Sequence, residues 1–170
     1  MLQAIGGTQD ECIPGRYNIP MTIDDMIEAW RKNNVLNQEF LDICTDEDLE
    51  LKPGKGKTIR SSLAHIVSAR RSWAEPSAKV EAQEIPKLDS KTATREQIKA
   101  GLDLSREVMS EVFRRREAKG KWNPFEFFGY LVAHEAHHRS QIEIALRING
   151  REPDDKFLYS LWEWTKKTTT

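Results

Sequence analysis

The sequence predicts an all-α protein: a four-helix bundle with long crossover connections and a short C-terminal helix. Three observations carry that prediction. Apolar residues recur at helical spacing in four long segments. No stretch alternates with period two. Capping residues and breakers stand where those segments begin and end. Four long amphipathic helices in about 150 residues are the ingredients of a bundle.

The first helix begins after Thr22, since Thr22 and Asp25 have capping-box spacing and Ile23, Met26, Ile27 and Trp30 follow at helical intervals. The pattern runs less cleanly through Leu36, Phe40 and Ile43, and Lys52-Pro53-Gly54-Lys55-Gly56 breaks it. The second helix spans Thr58 to about Ala74, with Ile59, Leu63, Ile66, Val67 and Arg70 as its stripe and Pro76 just beyond. Residues 76–93 read as a polar connection, long enough that the next helix is not an immediate antiparallel neighbour. The third helix starts at Thr94, paired with Gln97 in capping-box spacing. It carries Ile98, Leu102, Val108, Val112 and Phe113 and ends near Lys119-Gly120, with Arg114 to Arg116 where cations suit the helix dipole. The fourth opens at Asn123-Pro124 and stops at Ile148, before Asn149-Gly150. A short fifth helix is expected from Phe157 to Lys166. Residues 1–20 show no periodicity and read as an irregular arm, with residues 21–170 forming one domain.

Composition narrows the function classes. The chain has 170 residues, 26 Lys+Arg against 27 Asp+Glu and a formal charge of -1. A nucleic-acid binder would carry a large basic excess. The cations Lys52, Lys55, Lys57, Arg60 and Arg114 to Arg116 read as solvated helix surface. No apolar run approaches the roughly 20 residues that span a bilayer. The first residues lack the basic and apolar regions of a secretory signal. Cys12 and Cys44 form no CxxC pair and read as inert thiols, so the protein is expected in the reducing cytoplasm.

The chemistry points to the histidines. There are four: His65, His134, His137 and His138. On a helical wheel, Phe127, Leu131, His134, His138, Gln141 and Ala145 share one face of the fourth helix, apolar on both sides of the histidines. His134 and His138 are i and i+4, so both imidazoles can reach one ion. His137 lies about 60° off the His134 direction, on the side away from His138. His65 sits in the second helix among Ser61, Ser62, Ala69 and Ser72, small neighbours that leave room for an ion and a ligand. Three neutral nitrogens from His65, His134 and His138 would hold a divalent transition metal and leave open positions, as catalytic sites require.

Other readings overlap this one. His134-Glu135-Ala136-His137-His138 satisfies H-E-x-x-H, the zinc-protease signature, with Glu163 available as a third ligand. The sheet expected beside such a motif is not visible. Glu135 reads as an accessory base near the metal or as an exposed surface charge. Gln141 orients a ligand or satisfies a core carbonyl. Tyr130 donates a hydrogen bond or packs in the core.

Two segments carry a family resemblance: Leu63-Ala64-His65-Ile66-Val67 with Arg71 and Trp73, and Tyr130 to Ile142, which contains His-x-x-x-His-Arg-x-Gln. With Leu161-Trp162-Glu163-Trp164, they make the chain resemble the DinB-like (YfiT-like) superfamily of metal-dependent enzymes over roughly residues 21–166. The resemblance implies a four-helix bundle with long crossovers, often assembled as a homodimer. It maps metal ligands onto His65, His134 and His138, with zinc, nickel or iron as the ion. The superfamily includes thiol S-transferases and isomerases that use a low-molecular-weight thiol. A hydrolase or thiol S-transferase acting on a small-molecule substrate is therefore expected, with Gln141 and Glu135 as accessory groups. The alternative is a non-catalytic, metal-stabilised bundle that acts by protein interaction or dimerisation, through Phe157, Tyr159, Trp162 and Trp164.

Overall fold

The computed structural model describes residues 21–120 and 123–169. The predicted arm at residues 1–20, with Cys12, lies outside the described residues. Among the described residues all regular structure is helical. The elements are α1 (Ile23–Ile43), α2 (Ile59–Ala74), α3 (Lys79–Glu84), α4 (Arg95–Ala118), α5 (Pro124–Ile148) and α6 (Asp155–Ser160). Short 3₁₀ turns occupy Asp48–Glu50 and Trp164–Lys166.

The helix starts follow the capping chemistry. The Thr22 side chain accepts from the Asp25 N–H while the Asp25 carboxylate accepts from the Thr22 N–H at 2.8 Å. Thr94 and Gln97 form the same reciprocal box at the start of α4. Thr58 caps α2 through the Ser61 N–H, and Asn123 caps α5 with Pro124 at its first turn. Each such cap satisfies N–H groups that the helix leaves open, a contribution of about 1 kcal/mol.

α1, α4, α2 and α5 form the four sides of the bundle. α4 packs on both α1 and α2, and α5 packs on both α2 and α1. Arg60 donates to the Ala93 carbonyl, Arg70 to the Leu102 carbonyl and Arg115 to the Ser77 carbonyl. Residue numbers rise together in these pairs, so α2 and α4 are adjacent and parallel. A parallel neighbour obliges the chain to travel back along the bundle, which is why residues 75–94 form a long crossover. α3 lies within that crossover, in a segment the sequence reads as simple connection. Arg71 holds the crossover against α2 by donating to the Gln83 and Ile85 carbonyls. At the C-terminus, the expected single helix is broken: α6 ends at Ser160, and a turn separates it from Trp164–Lys166. Trp162 in that turn is 83% exposed, while Phe157 and Leu161 pack against the core.

The core is one continuous apolar cluster. Trp30 is wholly buried, meets Phe113 edge-on at 5.7 Å between ring centroids, and donates its indole N–H to the Arg106 carbonyl at 3.1 Å. Gly101 allows α2 and α4 to approach: a Cβ there would stand 3.1 Å from a Val67 methyl.

Candidate metal centre

α2 and α5 run antiparallel, which brings His65 against His134 and His138. One ligand nitrogen from each of these residues lies within 4.8 Å of the others. The ring centroids are 5.4 Å apart for His65 and His134, and 4.7 Å apart for His65 and His138. The Nε2 atoms of His134 and His138 are 3.3 Å apart. Two nitrogens held at about 2.0–2.1 Å from one ion at a tetrahedral angle are separated by about 3.3–3.4 Å. The pair therefore already has the bite of a zinc-type chelate. His137 is exposed and outside the cluster, with its ring 5.3 Å from that of His138.

The electrostatics favour ligation. Burial pushes the pKa of all three imidazoles down, and the charge of Lys57 acts in the same direction on each. His138 is lowered from 6.5 to about 4, first by burial and then by His134 and His65. The rings are therefore neutral at pH 7, the form in which a lone pair can bind a cation. His134 also carries a buried Nδ1 with no hydrogen-bond partner. Such an orphan costs about 1–3 kcal/mol. The Trp73 ring, packed 4.9 Å from the His134 ring, offers that nitrogen no hydrogen bond. Donor set, spacing and protonation state all fit a divalent metal.

A cavity of about 220 Å³ opens beside His65, lined by Lys57, Ser61, Ala64, Ser68, Leu88 and Ser90. It gives the site a polar antechamber. A larger, more apolar groove of about 270 Å³ lies between α1, α5 and the C-terminal segment, lined by Phe40, Trp162 and Trp164 among others, and no histidine lines it.

The buried face of α5 differs from the expected one. Its buried residues are Leu131, Glu135, His138, Arg139, Ile142, Ala145 and Leu146. The face is rotated towards Glu135 and Arg139, and His134 and Gln141 lie half-buried at its edge. The Gln141 side chain makes no hydrogen bond to another described residue. Tyr130 is not a core tyrosine: it is 56% exposed and stacks on the His134 ring with 6.2 Å between centroids. Glu163 is exposed and pairs with Lys166, away from the histidines.

Glu135 requires a correction. It is neither an exposed charge nor free to act as a base, because it is wholly buried and its oxygens are committed. Arg70 clamps it in bidentate fashion, Nε to Oε1 at 2.7 Å and Nη2 to Oε2 at 2.8 Å. Asn33 and Asn37 each donate to Oε2 at 2.7 Å. Burial alone would raise its pKa, but the charge and hydrogen bonds of Arg70, with Asn37 and Arg139, outweigh this and lower it. The zinc-protease reading, which needs this carboxylate as its base, loses its central group.

The polar interior extends further. Arg139 donates to Asn37 at 2.8 Å and to Asn33 at 3.0 Å. Arg70 also donates to Asn34 and Ser105, and its guanidinium lies 4.7 Å over the Trp30 ring. Sequence reading missed this network, although its signals were present. Arg70 stands in the apolar stripe of α2, and Asn33 and Asn37 lie on the same face of α1 as Trp30.

A sequence profile of the DinB family matches residues 20–168. No curated protein and no solved structure matches the chain.

Proposed function

The chain belongs to the DinB family, and from that premise we propose that it is a metal-dependent hydrolase or thiol S-transferase acting on a small molecule. The observation that carries the reading is the convergence of His65, His134 and His138 within 4.8 Å, all neutral at pH 7. These residues would hold a divalent zinc, nickel or iron ion. Such an ion supplies Lewis acidity, lowering the pKa of a bound water from about 15.7 towards about 7 and that of a thiol likewise.

The chain's own groups complete the picture. Three protein nitrogens leave one side open to ligands. Ser61, Ser68, Ser90 and Lys57 line the cavity beside His65 and offer hydrogen bonds and one positive charge to a substrate. Gln141, one turn along α5 from His138, presents a free amide that orients the substrate. Water as nucleophile gives hydrolysis; a low-molecular-weight thiol gives S-transfer at the same place. The buried thiol of Cys44, pushed up to about 12 chiefly by burial, supplies no nucleophile and suits a reducing cytoplasm.

A second reading rests on the outer surface of α5, where Tyr130, Ile144 and Ile148 are exposed, and on exposed Trp162. These residues suit a homodimer or an interaction module with a structural metal. A single experiment separates the two. Metal is removed with a chelator, helicity is followed, and ester hydrolysis and thiol transfer are assayed before and after metal is restored. Retained helicity with turnover that returns on metal addition supports the enzyme. Loss of helicity, with no turnover in any metal form, supports the structural reading.

A further inference from the structure

We infer that the buried polar network centred on Glu135 is the positioning device of the metal centre: it sets the rotation and register of α5 so that His134 and His138 meet His65. This rests on the trihistidine site being a metal site, as proposed above.

The first ground is adjacency. The Arg70–Glu135 pair joins α2 to α5, the same two helices that supply the three histidines. Glu135 directly follows His134, and Arg139 directly follows His138. Along α5 the ion pair and His138 are three residues apart, about 4.5 Å of rise. Any rotation that preserves the ion pair preserves the facing of the histidines.

The second ground is that the inward stripe of α5 is not purely apolar. Beside Leu131, Ile142, Ala145 and Leu146 it buries a carboxylate and a guanidinium, Glu135 and Arg139, whose partners lie on other helices. Burial of hydrophobic area is non-directional and tolerates sliding. A bidentate Arg–carboxylate clamp does not, because its two hydrogen bonds are satisfied in one geometry only.

The third ground is reach. Glu135 receives donors from α1 (Asn33, Asn37) and α2 (Arg70), and Arg70 also bonds the Leu102 carbonyl and Ser105 of α4. One carboxylate thus fixes α5 against the whole bundle. Buried ionic groups are best known for this kind of register control.

The test is titration of the full-length apoprotein with Co(II), monitored by the visible ligand-field bands, which report coordination geometry as well as affinity. Glu135→Gln is expected to weaken Co(II) binding about 10- to 100-fold, the range seen when groups supporting metal ligands are changed, and to alter the bands. Asn37→Ala, which removes one donor to Glu135 and one acceptor from Arg139 but keeps the Arg70–Glu135 pair, is expected to weaken binding less but in the same direction. It decides the matter where Glu135→Gln does not fold. Val112→Ala, a core truncation on α4, serves as the destabilised control and should leave both affinity and bands as in the wild type. Wild-type affinity and bands in Glu135→Gln and Asn37→Ala would overturn the inference, as would an equal loss in Val112→Ala. A wild-type protein that takes up no Co(II) would overturn the metal reading, and the positioning role with it.

Discussion

Between α1 and α4, Trp30 and Phe113 are sealed edge to face, and the charged contacts Arg31–Glu107, Lys99–Asp42 and Arg114–Asp24 remain at the rim. Between α2 and α5 the arrangement is inverted. A guanidinium and a carboxylate occupy the interior, the half-buried imidazoles of His65 and His134 stand at its edge beside buried His138, and Tyr130, Ile144 and Ile148 are exposed. The first seam obtains its stability from area removed from water. The second gives up part of that gain, because every buried charge must be desolvated, and obtains in return a defined placement of side chains. The contrast teaches that one bundle can divide its labour, with one pair of helices supplying cohesion and the other supplying geometry.

Breaking the apolar seam should cost the most. Phe113→Ala is expected to destabilise the protein by about 3–5 kcal/mol in urea unfolding, with the metal capacity of the remaining folded molecules unchanged. Loss of metal capacity in those molecules would show that the seams are not separable. Glu135→Gln should cost about 3 kcal/mol, since an amide keeps the size of the side chain but leaves Arg70 without its counter-charge. A loss below 1 kcal/mol would mean that the pair contributes nothing the amide cannot replace.

Acidification sharpens the comparison, because it acts on the second seam. His138 holds its proton less tightly in the folded chain, at about 4, than in the unfolded chain, near 6.5. Between these values the unfolded state binds more protons, so the apoprotein should lose stability as pH falls from about 6.5 to about 4, with this contribution exhausted below that. His138→Ala should flatten the slope in that window, which unfolding curves at several pH values would reveal. The smallest effect is expected at the rim of the first seam. A double-mutant cycle on Arg31 and Glu107, whose side chains are 34% and 45% exposed, should return a coupling within about 1 kcal/mol.

The same contrast explains what could be read from residues alone. The long helices were legible because Thr22, Thr58, Thr94 and Asn123 announce their starts through local hydrogen bonds. The grouping of His65 with His134 and His138 was legible because spacing on two helices determines what can converge. α3 was not, since it is a short turn of helix held by tertiary contacts to α2 and α4 rather than by its own pattern. The role of Glu135 was not legible either. An isolated carboxylate on a helix defaults to solvent, and only the combined positions of Arg70, Asn33 and Asn37 on two other helices make its burial affordable.

The most direct measurement is the metal content of protein purified without an affinity tag, determined by elemental analysis for the wild type, His138→Ala and His137→Ala. The account predicts about one divalent transition metal per chain in the wild type, close to none in His138→Ala, and near wild-type content in His137→Ala. A metal-free wild type, or equal losses in both variants, would contradict it.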